Sequence, residues 1–133
     1  MAADDLATAR AMFDAWNDGN VGRMVEFWAD DGVWEDAPEI PDHRVVHGRE
    51  NVEDHLREVI AILGDLELHP LEVRMAGDDV LAVLDTTFRG AQSGIVLDAP
   101  VAVVVRFEEG RVKRYRSFLD VEDAKRAVGE ATD

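Results

Sequence analysis

The chain has 133 residues, 47% of them hydrophobic, which suits one folded domain spanning residues 1–133 with a substantial core. Its 29 acidic and 14 basic side chains give a net charge of −15, a field that repels phosphate backbones and anionic lipid, so nucleic acid and membranes are excluded as partners. Cysteine is absent, which removes disulfides and thiol nucleophiles; no apolar run reaches the roughly 18 residues of a membrane span, the acidic start lacks a signal-peptide core, and the expected location is cytoplasmic.

The first predicted element is a helix over "DDLATARAMFDAWNDGN", with Leu6, Ala9, Phe13 and Trp16 on one stripe. Gly19 closes it and Asn20 caps a second helix carrying Val21, Met24, Val25 and Trp28 on its apolar face. "DDG" at Asp30 to Gly32 then turns the chain into a short strand near Val33 to Ala37. Pro38 and Pro41 bracket a loop to Gly48. A third helix follows, with Val52, Leu56, Val59, Ile60 and Leu63 on one face and His55 at its border.

From Leu66 the hydrophobic period falls to two. Leu66 and Leu68 alternate, then Leu71, Val73 and Met75 continue at the opposite parity, so a bulge is expected at Pro70. "GDD" at Gly77 to Asp79 leads into a strand to Arg89, and "GAQSG" at Gly90 to Gly94 into a strand from Ile95 to Phe107. "EEG" at Glu108 to Gly110 makes a tight hairpin. A last strand runs from Arg111 to about Leu119, then a short helix from Val121 to Val128. Val104, Val112 and Phe118 are expected on the outer sheet face, where Arg106, Arg114 and Arg116 also lie. Helices first and meandering strands afterwards predict an α+β fold, a curved antiparallel sheet against the N-terminal helices with space for a ligand between them.

The segments "NDGNVGRMVEFWADDGVWEDAP", "HGRENVEDHL" and "RFEEGRVKRYRSFLD" resemble the SnoaL-like proteins of the nuclear transport factor 2-like superfamily. The resemblance covers nearly the whole chain. It implies a cone-shaped α+β barrel around a deep apolar pocket, commonly in a homodimer, and a hydrophobic small molecule as ligand. Relatives include ketosteroid isomerases, polyketide cyclases, limonene-epoxide hydrolases and proteins that only bind or scaffold. In the isomerases a strand-end aspartate is the general base, and "WEDAP" places Asp36 there. The two oxyanion donors of those enzymes map to Met12 and Val103, which cannot donate. The epoxide-hydrolase pattern maps its aspartate to Ser117 and its other two residues to Leu84 and Thr86.

Asp36 is therefore the candidate general acid or base, with a pKa expected to be raised by desolvation beside Trp34. Trp34 shares its face, and Glu35 points the other way. Tyr115 and Ser117 share an inward face and can hydrogen-bond a ligand. Trp16, Trp28, Val103, Met12, Thr86, Phe88 and His47 complete the expected ligand contacts. His43 and His47 form an H-x3-H in a loop without a third ligand, so no metal is expected, and the reading calls for no organic cofactor. Two functions stand side by side: a cofactor-independent isomerase, cyclase or lyase using Asp36, and a non-catalytic ligand-binding or dimerisation module. Epoxide hydrolysis is a distant third.

Overall fold

The structure, a computed structural model, describes residues 2–40, 42–63, 65–89 and 100–129; a few further side chains, Phe88 among them, lie outside the described set. The elements are α1 (Ala2–Asn17), α2 (Val21–Val25), β1 (Trp28–Glu35), β2 (Val45–His47), α3 (Arg49–Leu63), β3 (Asp65–Ala76), β4 (Asp79–Arg89), β5 (Val101–Glu108), β6 (Arg111–Phe118) and α4 (Val121–Ala127). The strands form one six-stranded sheet in the order β2-β1-β6-β5-β4-β3. Neighbours are antiparallel except β1 and β6, which run parallel. The outermost strands β2 and β3 do not pair with each other, so this α+β sheet stays open. No helix of the described residues is long and apolar enough to cross a membrane.

The helical stripe of α1 does what its spacing predicts. Ala9, Phe13 and Trp16 are buried in the core between helices and sheet, and the half-buried Leu6 packs against it. Asn17 fastens the end of α1 to β3: its side chain donates to the carbonyl of Leu68 and accepts from the Leu68 N–H, both at 2.7 Å. These bonds also satisfy edge-strand backbone groups that would otherwise face water.

Three local expectations are corrected. Trp28 is not on a helix. α2 ends at Val25, and the Phe27 carbonyl accepts from Val112 N–H at 2.8 Å, so Trp28 already belongs to β1, paired with Val112. "DDG" is not a turn before a strand but part of β1, within a register shift between Trp28 and Val33. The loop from Pro38 to Gly48 holds β2, whose three residues pair with β1 and are too few to show a period. Gly32 is required inside the irregularity. A Cβ there would sit 2.5 Å from Trp28 Cδ1 and 2.7 Å from the Val112 carbonyl.

The bulge at Pro70 is present, with register shifting between Pro70 and Glu72. Leu71 is the extra residue and is exposed, so the inward set passes from Leu68 to Val73 and Met75. A second shift, between Arg106 and Phe107, turns both Val112 and Tyr115 inward. Val112 is therefore core, not outer face. Val104 and Phe118 are on the other side of the sheet, but they pack with Ala76, Leu81, Ala102 and Ala124 beneath α4. This helix thus covers part of the apolar outer face of the sheet. In the β5–β6 hairpin, Glu109 (φ 54°) and Gly110 (φ 78°) are both left-handed, as a type I′ turn requires. The expected strand residues from Ile95 to Ala99 lie outside the described residues.

Gly32→Ala should lower stability by about 1–3 kcal/mol, because neither the Trp28 ring nor the Val112 backbone can retreat freely. Urea denaturation measures this, and a variant as stable as the parent would show that the β1 irregularity relaxes without strain.

Candidate functional site

A cavity of about 360 Å³ lies between the inward sheet face and the helices. Trp16 of α1, Met24 of α2 and Leu56 and Val59 of α3 form one side. Leu84 and Thr86 of β4, Val103 of β5 and Tyr115 and Ser117 of β6 form the other. Trp34 and Asp36, at the end of β1, join the two sides. Ile40 and Leu119 also line it while 41% and 43% exposed, so they mark its mouth.

Aromatic side chains build the inner wall. The Trp34 and Tyr115 rings stack at 4.4 Å with planes 7° apart. Trp28 supports Tyr115 from behind at 5.5 Å and does not line the cavity. Met12 is likewise core, fully buried by α1 packing. His47 lies exposed on β2, away from the cavity. Of the other expected contacts, Trp16, Trp34, Val103, Thr86, Tyr115 and Ser117 line the cavity, and the side chain of Phe88 lies outside the described set.

Asp36 is held by three donors. Trp34 Nε1–H donates to Oδ1 at 2.7 Å, His55 Nε2 approaches the same oxygen at 2.9 Å, and the Arg44 backbone N–H donates to Oδ2 at 3.0 Å. Asp36 returns a bond from its own N–H to the Arg44 carbonyl. The far nitrogen of His55, Nδ1, meets Arg44 Nη2 at 2.7 Å. A guanidinium only donates, so Nδ1 must accept, and the proton of the neutral imidazole is on Nε2, pointing at Asp36. Arg44 also pairs with Glu58 at 3.2 Å.

This arrangement corrects the expected pKa of Asp36. Burial does push the carboxyl up, but the hydrogen bonds from His55, Trp34 and Arg44 outweigh it and hold Asp36 below its ordinary 3.8. Asp36 is thus a stable carboxylate, while burial raises the Tyr115 phenol and keeps it neutral. Glu35 faces the opposite side and pairs with Arg114.

Sequence reasoning placed His55 at the border of the apolar face but did not connect it to Asp36. The available signal was its helical phase: Val52, His55, Leu56 and Val59 follow i, i+3, i+4, i+7. His55 is 6% exposed and does not line the cavity, so it acts on the site through Asp36. Two buried polar atoms have no hydrogen-bond partner among the described residues: Trp28 Nε1 in the core and Thr86 Oγ1 on the cavity wall. No group of three His, Cys, Asp or Glu suited to a metal ion occurs among the described residues.

With cavity, strand-end aspartate and sheet in place, comparison with known proteins is decisive for the family. The profile of the SnoaL-like domain matches residues 9–115. The chain belongs to the SnoaL-like domain family. No curated protein matches it. Among solved structures, it is similar to an uncharacterised cystatin-fold protein from Novosphingobium aromaticivorans, with 25% identity and a TM-score of 0.69 over 89% of this chain and 98% of that one. Bal32a from a soil-derived mobile gene cassette is 24% identical, with a TM-score of 0.75 over 91% and 93%. A protein of unknown function from Burkholderia pseudomallei, described as nuclear transport factor 2-like, is 20% identical, with a TM-score of 0.75 over 95% and 98%. These neighbours support the SnoaL-like architecture of an open sheet packed against helices.

A depressed carboxyl pKa stabilises the folded state above the unfolded value, and that contribution is lost as pH falls through the folded one. Asp36→Asn should therefore cost about 1–3 kcal/mol at pH 7, and the difference from the parent should vanish on acidification below 3.8. Urea midpoints measured across this range check it; a gap that persists unchanged in acid would show that ionisation of Asp36 is not what the surrounding donors stabilise.

Proposed function

We propose that this SnoaL-like protein binds a compact, mainly apolar molecule bearing hydroxyl or carbonyl groups, and that Asp36 serves it as an ionised hydrogen-bond acceptor. The observation that carries this reading is Thr86 Oγ1, which is buried in the cavity wall without a partner. An unpaired buried hydroxyl costs about 1–3 kcal/mol, and a ligand oxygen or N–H removes that cost. Tyr115 also lines the cavity, and its neutral phenol can donate. Ser117 adds a hydroxyl on the same strand face. The remaining wall is apolar, and the Trp34–Tyr115 stack offers a flat surface to a ring. A cavity of about 360 Å³ is at the small end of the range for ligand sites, which favours a single compact molecule.

The presence of Asp36 in the wall supports a second reading, a cofactor-independent isomerase, cyclase or lyase. A general base works best when its pKa is near the working pH. Asp36 is displaced the wrong way, because its donors favour the carboxylate. In the catalytic reading, ligand binding has to withdraw one of these donors before Asp36 can take a proton. Tyr115 OH is then the available group to stabilise a developing oxyanion, since Met12 is in the core and Val103 carries no donor.

Two tryptophans, Trp16 and Trp34, line the cavity, so ligand entry should quench their fluorescence. Titration with a panel of phenols and cyclic ketones should give saturable 1:1 binding for members that fit. Thr86→Val and Tyr115→Phe should each weaken it roughly tenfold. Asp36→Asn should weaken hydroxyl-bearing members without exposing any turnover in the parent. Binding that ignores both hydroxyl variants would overturn the proposed contacts, and turnover lost in Asp36→Asn would favour the catalytic reading.

A further inference from the structure

The charge inside the cavity has no cationic partner among the described residues. Asp36 is the one charged side chain of that set lining it, and its side chain is only 16% exposed. Its three hydrogen-bond donors are neutral: the Trp34 indole, the Arg44 backbone N–H and Nε2–H of His55. The Arg44 guanidinium lies beyond the imidazole ring, donating to Nδ1 of His55, and is paired there with Glu58 at 3.2 Å. Asp36, neutral His55, Arg44 and Glu58 together therefore carry a charge of −1. Glu39 adds a further anion at the mouth, where it accepts from the Leu119 N–H at 3.4 Å. The whole chain carries −15. Such a field draws small cations toward the cavity and repels anions.

One acceptor position on Asp36 is left. A carboxylate has about four lone-pair sites. Trp34 and His55 take two on Oδ1, and the Arg44 N–H takes one on Oδ2. The β1–β6 register pairs Glu35 with Arg116, so Asp36 and Ser117, next along the two parallel strands, stand side by side on the wall. Trp16, Trp34 and Tyr115 line the same cavity, and aromatic rings attract cations through their electron-rich faces. The sheet order puts two strands, β6 and β5, between Asp36 and β4, where the buried hydroxyl of Thr86 has no partner among the described residues. Neighbouring strands are about 4.8 Å apart, so one small head group does not reach both poles.

We propose that the cavity ligand is a compact organic monocation, a protonated amine whose ammonium sits on Asp36 and Ser117 and whose apolar body carries a hydroxyl or carbonyl to Thr86. This rests on the reading of Asp36 as an ionised acceptor in a ligand-binding cavity, and adds the charge of the ligand. A neutral hydroxyl fills the free position on Oδ2 but leaves the excess charge uncompensated in an apolar wall. An ammonium fills it and cancels the charge, and its remaining N–H groups have the Ser117 hydroxyl to donate to. A dication overshoots the single excess charge, and an organic anion is repelled by Asp36.

Tyramine and tyrosol test this, because they share a phenol on a two-carbon arm and differ only in ammonium against hydroxyl. Calorimetric titration of the full chain at pH 7 and fixed ionic strength should show tyramine binding about tenfold more tightly than tyrosol. In Asp36→Asn the two affinities should become about equal. The general acidic field cannot produce that loss, since the substitution alters the net −15 by one. In the parent, tyramine should also lower the titration midpoint of the Asp36 carboxyl more than tyrosol does, because a cation favours the ionised form. Tyrosol binding as tightly as tyramine, or an equal effect of the two on that midpoint, would overturn the ammonium assignment and leave the binding reading intact. A tyramine preference that survives in Asp36→Asn would place the cation elsewhere and overturn the assignment too. If neither compound binds, the assignment and the binding reading of the cavity fall together.

Discussion

The carboxylate of Asp36 joins three parts of the chain that are distant in sequence. Trp34 reaches it along β1, Arg44 from the segment before β2, and His55 from α3. Hydrogen bonds to a charged acceptor are among the stronger ones, contributing about 1.5–3 kcal/mol each. Their geometry sets where the end of β1 lies against α3, and hence how wide the cavity is at that end. Arg44 links the outer side of this knot to His55 and Glu58, so the connection from β1 to β2 is anchored to the helix it passes.

The same bonds decide the chemistry of the site. Desolvation alone would have made Asp36 a stronger base. Three donors reverse the sign. A carboxylate so well satisfied is a good acceptor for a ligand hydroxyl and a poor proton acceptor from carbon. The unsatisfied buried hydroxyl lies elsewhere on the wall, at Thr86, and the Tyr115 phenol also lines the cavity; both are suited to holding a ligand oxygen. Binding is thus the property the cavity supports most directly.

The parts of the fold with long periods were legible in the sequence. The stripe of α1, the apolar face of α3 and the alternation of β3 to β6 each repeat often enough to fix both element and face. The bulge at Pro70 was visible because it reverses parity within one strand. The misplacements of Trp28 and Val112 share a cause: each lies beside a register irregularity, where counting residues no longer predicts direction. β2 has three residues and no pattern to read. At the site, strand parity placed Trp34 and Asp36 together and Glu35 away from them. The direction of the Asp36 shift was not legible, because it depends on His55, whose contact with Asp36 exists only once α3 packs beside β1. Arg44 carried no signal, since a backbone N–H from a loop is available to any residue.

The distribution of charge separates the two faces of the sheet. Toward the helices there is one carboxylate in an apolar wall, and away from them a row of arginines balanced by Asp79 and Glu35. The central claim concerns the former, that Asp36 is a held carboxylate and not a poised base. A ¹³C NMR titration of the Asp36 side-chain carboxyl measures it directly. The account predicts a midpoint below the ordinary 3.8, and a midpoint raised above that value would contradict it.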